Sequence, residues 1–599
     1  MPNPKLRKFH RISAHPPHFG ACLLTAVVAL ALAPGHVSAQ SMASSEKSAQ
    51  PPLPLPDGLV PPPTDFVDIA GKAGLSLGRD PAMPGGMTYL TETTGGGVAL
   101  IDFDNDGLLD IFFVGTVNSA ANATATPHRL YHNNGNLRFK DVSSETGHRN
   151  TGWGQGVCAG DFDQDGFVDL FVTHWGPDSL LRNLGGTGFA DEAGERGVAG
   201  RPDRWSTGCS FLDFDRDGDL DLFVAHYVDF DRATTPLPGE ASQCEWMGAP
   251  IPCGPRGLAA ESMSLFANDG KGHFEDVSQA SGVATAKRYH GLGVISTDFD
   301  NDGWLDIFVA CDSTANLLFR NVGDGTFEEI GLFSGAAYNE DGHEQAGMGV
   351  AAADYDGDGR SDLFVTNFAA DTNTLYRNTG GGIFRDATVL AGLATATAHV
   401  GWGADFLDFD LDGWPDIFVA NGHVAPSVDN ADIGETFAQP RLLFWNRGDG
   451  KFHPISARAG SAFGTLRASR GSATGDLDND GDQEIVVVNI GRTPSLLQDR
   501  AERSANWLVV RATTESGSDA IGAQVTVQAD GFQRTSVVRS GGGYLSQSDL
   551  RLSFGLGTLQ SVEIGILWPS GHASQAGNFE ANQIVTIAEP PQSRTDSAP

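Results

Sequence analysis

Seven times the chain repeats one acidic phrase, Asp-x-Asp-x-Asp-Gly-x-x-Asp, and follows it each time with an apolar, β-prone run. A repeat of this kind constrains architecture before any local propensity does, because each unit buries its apolar face only by packing on its neighbours. The copies, numbered here loops 1 to 7, begin at Asp102, Asp161, Asp213, Asp298, Asp354, Asp408 and Asp476. Their acids are Asp102, Asp104, Asp106 and Asp110; Asp161, Asp163, Asp165 and Asp169; Asp213, Asp215, Asp217 and Asp221; Asp298, Asp300, Asp302 and Asp306. The last three sets are Asp354, Asp356, Asp358 and Asp362; Asp408, Asp410, Asp412 and Asp416; and Asp476, Asp478, Asp480 and Glu484. Four carboxylates within nine residues repel one another unless a cation lies between them.

Oxygen-only ligation from positions 1, 3, 5 and 9, with the backbone carbonyl at position 7, suits Ca²⁺, which takes about 6–8 oxygens in irregular geometry. Mg²⁺ demands a tighter octahedron and holds its waters. Glycine at position 6 permits the sharp turn that brings the ends of the phrase together. An EF-hand is excluded: it requires a bidentate Glu at position 12 and flanking helices, whereas position 12 of loop 1 is Phe113, within Ile111-Phe112-Phe113-Val114. The flanks read as strands, so each loop is expected at the tip of a β-hairpin. Seven bound ions, about one per loop, are therefore expected.

Each unit carries more than its loop. A Gly-x-Gly strand precedes it (GQGVCAGDFD, GLGVISTDFD, GMGVAAADYD, GWGADFLDFD), and a second hairpin follows (LFANDGKGHFEDV, LLFRNVGDGTFEEI, LYRNTGGGIFRDA). Four short strands per unit imply a propeller blade. Phe66-Val67-Asp68-Ile69 looks like a last strand standing before the first loop, while the seventh unit runs out after Leu496 without one. The N-terminal strand is thus expected to complete the seventh blade and remove the open edge. The expected fold is all-β: a seven-bladed β-propeller followed by a small β-sandwich or barrel, where apolar and polar residues alternate at Val525, Val527, Val562, Ile564 and Ile566. The glycines at 541–543 read as a tight turn, with close approach to a ligand or to the propeller as the alternative.

Net charge is −36, from 75 acidic and 39 basic residues. That balance argues against nucleic acid and anionic lipid as partners. Lys5, Arg7, Lys8 and Arg11 precede the apolar run Ala21 to Ala33, and Val37-Ser38-Ala39 offers a cleavage site, so residues 1–39 read as a secretory signal. Residues 40–65 are a Pro- and Ser-rich linker and 591–599 a tail, and no other segment approaches membrane-spanning length. Cys244 and Cys253 flank a short loop and are expected to form a disulfide; Cys158, Cys209 and Cys311 are expected to be buried thiols.

The GxG…DFDxDGxxDLFV phrases resemble the FG-GAP/VCBS repeats of integrin α-subunit heads and of many secreted bacterial proteins. DAIGAQV at 519–525, GGGYLSQSD at 541–549, FGLG at 554–557 and WPSG at 568–571 resemble the ASPIC/UnbV domain. Together they are similar to the cartilage acidic protein family and its bacterial relatives over nearly all of residues 66–590. The resemblance implies a propeller over 66–503 and an ASPIC/UnbV domain over 504–590, with calcium held by the acids named above. The chain departs from the ASPIC/UnbV pattern at Ser516-Gly517-Ser518 and at Ser553.

On the face opposite the acidic loops, pseudosymmetry places Gly115, His174, His226, Cys311, Asn367, Asn421 and Asn489 around a rim, with His290, His399 and His423 near it and Trp153, Trp175, Trp205 and Trp402 close in sequence. Three readings stand: polar residues that end strands and satisfy backbone groups, an aromatic ligand funnel, or a transition-metal or catalytic centre built from imidazole and thiolate. No nucleophile motif, phosphate loop or HExxH pair defines a reaction. The expected function is a secreted, periplasmic or cell-surface calcium-binding propeller that serves as a binding or adhesion scaffold for a protein or carbohydrate ligand. The alternative is an exported enzyme working at that rim.

Overall fold

The computed structural model describes residues 55, 58–76, 87–115, 117–118, 124–125, 127–148, 152–284, 287–395 and 397–591. The expected signal segment, most of the linker and residues 592–599 lie outside the described residues.

Each acidic phrase connects two antiparallel strands. In blade 1, Val98–Ile101 pairs with Asp110–Phe113, which pairs with Arg129–Asn133, which pairs with Phe139–Asp141. The same four-strand order recurs in seven sheets. The innermost strands touch in cyclic order: Val98–Ile101, Trp153–Gly160, Ser206–Leu212, Gly291–Thr297, Val350–Ala353, Gly401–Leu407, Ser469–Gly475, and back to the first. The molecule is therefore a β-propeller. Its strands read as unbroken apolar runs because each sheet lies between two others, and both of its faces are buried. The core is accordingly divided among the gaps between blades. Ala99, Ile101 and Phe112 of blade 1 meet Val157, Leu170 and Val172 of blade 2 in one such cluster. Ile295 and Phe308 of blade 4 meet Val350 and Leu363 of blade 5 in another.

The Gly-x-Gly phrase has a steric cause. Five innermost strands carry a register shift near their start, as between Gly154 and Val157 or Gly291 and Val294. There the second glycine meets the next blade's backbone. A Cβ on Gly208 would stand 2.2 Å from Leu292 O, and one on Gly293 2.6 Å from Met348 O. Only glycine fits where the inner strands converge this closely.

Closure is by the N-terminal strand: Phe66–Asp68 pairs antiparallel with Ser495–Asp499. Phe66 is fully buried, edge-on to Phe409 at 6.4 Å and to Phe463 at 5.5 Å.

Cys244–Cys253 is a disulfide, and so is Cys158–Cys209, with Cα atoms 5.8 Å apart. The expectation of free thiols at Cys158 and Cys209 is corrected. They lie on the innermost strands of adjacent blades, which side-by-side packing brings within bridging distance, a relation that spacing along the chain does not display. Cys311 is free and buried.

The C-terminal domain has two sheets. In one, Asn506–Thr513 lies between Leu552–Gly557 and the parallel Gln583–Ala588; the other is ordered Phe532–Val537, Gln524–Ala529, Ser561–Leu567, Ala573–Glu580. Leu508 and Val510 of the first sheet share a core with Val525, Val527, Ile564 and Ile566 of the second, and that core continues into Phe162 and Phe211 of blades 2 and 3.

The segment 540–549 leaves this domain and enters the centre of the ring. Ser540 Oγ donates to Ala159 O, Val350 N donates to Gly543 O, Val157 N donates to Leu545 O, and Asp549 N donates to Thr474 O. Tyr544 and Leu545 are buried at its tip. The expectation of a tight turn at 541–543 is therefore corrected: the turn is at Tyr544-Leu545. The glycines instead allow close approach, since a Cβ on Gly541 would stand 2.2 Å from Cys209 O.

Candidate metal-binding loops and the opposite rim

The loops share one internal geometry. In all but loop 3, where Asp217 N donates to Asp215, the position-1 carboxylate accepts from the N–H groups of positions 5 and 6: Asp165 and Gly166 on Asp161, Asp358 and Gly359 on Asp354, Asp412 and Gly413 on Asp408. Position 4 lies in the left-handed region in every copy: Asn105, Gln164, Arg216, Asn301, Gly357, Leu411 and Asn479 have φ between 56° and 75°. Glycine at position 6 is left-handed too, as at Gly107 and Gly413, both with φ 89°. Two left-handed residues wind the phrase around its own centre.

Position 9 has a separate task. In blade 1, Asp110 Oδ2 accepts from Phe103 N and its Oδ1 from Asn133 N. Asn133 Nδ2 then donates to Leu109 O and across the blade gap to Leu477 O. Asn183, Asn268, Asn321, Asn378 and Asn446 repeat this, reaching Phe103, Phe162, Phe214, Phe299 and Tyr355. These asparagines, which end each third strand, were missed in the sequence although they recur beside the quoted hairpins. The signal was their fixed interval to the Phe that opens each fourth strand, as from Asn133 to Phe139, Asn268 to Phe274 and Asn378 to Phe384.

Position 3 has an unmet oxygen. Oδ1 of Asp104, Asp163, Asp356, Asp410 and Asp478 is buried without a hydrogen-bond partner, and so are Asp213 Oδ1 and Glu484 Oε1. Carboxylate oxygens of Asp161, Asp163 and Asp169 lie within 4.8 Å of one another, as do those of Asp213, Asp215 and Asp221 and of Asp354, Asp356 and Asp362. Asp298, Asp300 and Asp302 group in the same way. Burial, with neighbouring carboxylates adding to it, pushes Asp213 up to about 7 and Asp221 to about 9. Asp362 is raised to about 8 and Asp476 to about 7, again chiefly by burial. Unpartnered oxygens converging in an all-oxygen cluster fit a hard divalent cation, the donor set expected for calcium. Some loops also carry a side-chain cation. His132 Nε2 is 3.0 Å from Asp104, Arg182 is 3.7 Å from Asp163 and from Asp165, and Arg377 pairs with Asp356.

The rim is built differently. Most of its polar residues hydrogen-bond within their own blades, while His174 Nε2, His290 Nε2 and His399 Nδ1 are buried without a partner. His174 Nδ1 donates to Val172 O while its N–H donates to Asp178 Oδ1. His226 contacts Ser264 and Ser206 at 2.9 and 3.3 Å, and His290 Nδ1 donates to Asp312 O. Asn367 donates to Thr372 O, Asn421 to Pro440 O and Asn489 to Thr493 O, each closing its own hairpin. Cys311 N–H donates to Asn316 Oδ1, and burial pushes the Cys311 thiol above its ordinary range. His423 Nε2 lies 3.2 Å from Glu435, and burial lowers His399. The histidines that do meet are His174 and two that the sequence reading passed over. His128 lies 5.7 Å from His174 and 6.4 Å from His148 between ring centroids, bridging blades 1 and 2.

Loops close this face. The segment 228–262, stapled by Cys244–Cys253, places Trp246 against Phe368 at 5.0 Å, and Trp246 Nε1 donates to Glu435. Leu90, Trp205, Tyr227, Phe230, Trp402 and the plug residues Tyr544 and Leu545 form one apolar cluster beneath it. The tryptophans noted in the sequence therefore belong to a closed core: Trp175 sits 5.8 Å from Trp153 and 6.3 Å from Trp205.

Family models agree with this architecture. The FG-GAP-like repeat model matches residues 102–172, 161–224, 258–309, 298–365, 354–419 and 437–487, and the ASPIC and UnbV model matches 513–594. Cartilage acidic protein 1 of Xenopus tropicalis is 25% identical over 543 residues, covering 84% of this chain and 75% of the frog protein. The Homo sapiens protein of that name is 27% identical over 335 residues, 54% of this chain and 48% of its own length. Among solved structures, an Agrocybe aegerita lectin aligns at 17% identity, covering 69% of this chain and 93% of the lectin with a TM-score of 0.35. Saccharomyces cerevisiae Sqt1 aligns at 11%, covering 69% and 98%, with a TM-score of 0.38. With repeat matches over more than half of its length and the C-terminal module in place, the chain belongs to the FG-GAP-repeat proteins that carry an ASPIC and UnbV domain.

Proposed function

We propose that this protein is an exported, calcium-stabilised propeller that serves as a binding scaffold for a protein or carbohydrate outside the cytoplasm. The observation that carries the reading is the recurrence of one buried, unpartnered carboxylate oxygen at position 3 of five loops, inside clusters of acids that repel one another. The position-1, -3, -5 and -9 acids would hold the ions, with the position-7 carbonyl. Bound calcium supplies charge neutralisation and cross-bracing of each hairpin, so binding and folding are linked. Export is supported by the basic-then-apolar start of the sequence, by two disulfides, which persist in oxidising compartments, and by the likeness to cartilage acidic protein. Among the described residues no helix is long and apolar enough to cross a membrane.

Elemental analysis of the purified protein tests the reading, with thermal melts before and after chelation. About seven Ca²⁺ per chain, one per loop, and a large fall in melting temperature on chelation are the expected results. A protein free of calcium, or a melt that chelator leaves unchanged, overturns it.

A further inference from the structure

The seven loops are alike in sequence and unlike in surroundings. In loops 1 to 5 and in loop 7 at least one of the nine residues is exposed to solvent; in loop 6, from Asp408 to Asp416, none is. The C-terminal domain makes the difference. Phe532 closes over Gly413, where an added Cβ would stand 2.7 Å from the ring. Arg534 donates to Gly413 O and lies 3.6 Å above the Trp414 ring. Gly557 N donates to Leu411 O at 2.8 Å. Gly555 comes so near that a Cβ there would stand 2.0 Å from Asp408 Oδ2.

The corresponding glycines of loops 1, 2, 3 and 5 (Gly107, Gly166, Gly218 and Gly359) have nothing within 4 Å of such a position. Loop 7 is intermediate: Trp507 covers Gly481, but Asp480 remains exposed. The Asp408 side of loop 6 borders an interdomain cavity of about 200 Å³, lined also by Arg534 and Gly555.

We propose that loop 6 is a closed cation site whose lid is the C-terminal domain, so that its ion exchanges far more slowly than the ions of the other six loops and leaves only when that domain lifts. The proposal rests on the calcium reading above. An ion held by several oxygens departs as water replaces its ligands one by one. In loop 6, Phe532 and Arg534 stand against Gly413, and Gly555 against Asp408, where replacing water would have to enter. Exchange there is consequently tied to local opening of the domain contact rather than to motion of the loop alone. Loading before docking follows from the same geometry.

The test uses the full chain saturated with natural calcium, transferred into an excess of an enriched calcium isotope, desalted at intervals and analysed by elemental mass spectrometry. The expected result is rapid exchange of about six ions and retention of about one, since loop 6 alone has no exposed residue. Phe532→Ala and Arg534→Ala should speed the slow phase by about tenfold or more, the scale on which 1.4 kcal/mol of lost contact acts. Asp410→Asn with Asp412→Asn should abolish the slow phase and leave the rest untouched. Near-complete calcium content with single-phase exchange overturns the lid and leaves the calcium reading standing. A slow ion that survives the loop 6 substitutions also overturns it. A chain without calcium overturns both. The wild-type exchange curve alone decides the case should the lid variants fail to fold.

Discussion

Blades 1 to 6 and blade 7 solve the same problem with different side chains. In each of the first six, an aspartate at position 9 receives the N–H of an asparagine on the third strand, and that asparagine donates to a carbonyl of the preceding blade. In blade 7 the pair is Glu484 and Asp499. Asp499 has no amide to offer blade 6. Its carboxylate instead accepts from Asp65 N and Ala501 N and pairs with Arg503, whose guanidinium lies over Phe409 of blade 6. Where blade 7 closes the ring, the cross-blade amide bond is thus replaced by an ion pair that also anchors the chain on both sides of the closing strand. A closing blade must hold two segments of distant sequence together, and the Asp499 carboxylate does so by taking the Asp65 and Ala501 N–H groups on one oxygen and Arg503 on the other.

Exchanging the two solutions tests this account. Asn378→Asp would remove the donor to Phe299 O and Ser361 O and leave an unpaired buried charge, at a cost of about 3–5 kcal/mol in denaturant melts. A loss no larger than that of an exposed substitution would break the comparison. A second junction sharpens it. Blades 1 and 2 are additionally joined by His128, His148 and His174, all of which burial lowers, His174 to about 4. The unfolded chain takes up a proton near pH 6.5 that folded His174 refuses, so this stability is intact above 6.5 and is lost as pH falls toward 4. The loss from His174 is at most about 3 kcal/mol. His174→Gln should flatten that part of the pH profile; an unchanged slope would remove the imidazoles from the junction. The smallest change is expected at the seam. Asp499→Asn loses the Arg503 pair but keeps one acceptor for Asp65, for about 1.5–3 kcal/mol. Its signature should be faster amide exchange confined to residues 66–68 and 495–499.

Much of this was legible in the sequence because the responsible patterns are local. The acidic phrase, the Gly-x-Gly strand and the displaced Phe66 strand each state their structural consequence within a dozen residues. What the sequence hid depends on relations across the ring. The Cys158–Cys209 bridge joins strands that become neighbours only when blades 2 and 3 pack. The rim histidines looked convergent under pseudosymmetry, yet the rings of His174, His226 and His290 meet Val172 O, Ser264 and Asp312 O in their own blades. Gly541 to Gly543 carried a turn signal, but their use is set by Cys209 and Val350, far away in the chain.

The central plug has a topological consequence. Ser540 and Asp549 both lie at the acidic-loop end of the inner strands, beside Ala159 and Thr474, while Tyr544 and Leu545 reach toward the far end. The segment enters and returns by the same door. It is inserted without being threaded, so it can seat in a finished ring, or withdraw from one, with no blade parting from its neighbour. A segment that follows the blades in the chain can therefore also take its place after them, like a stopper rather than an axle.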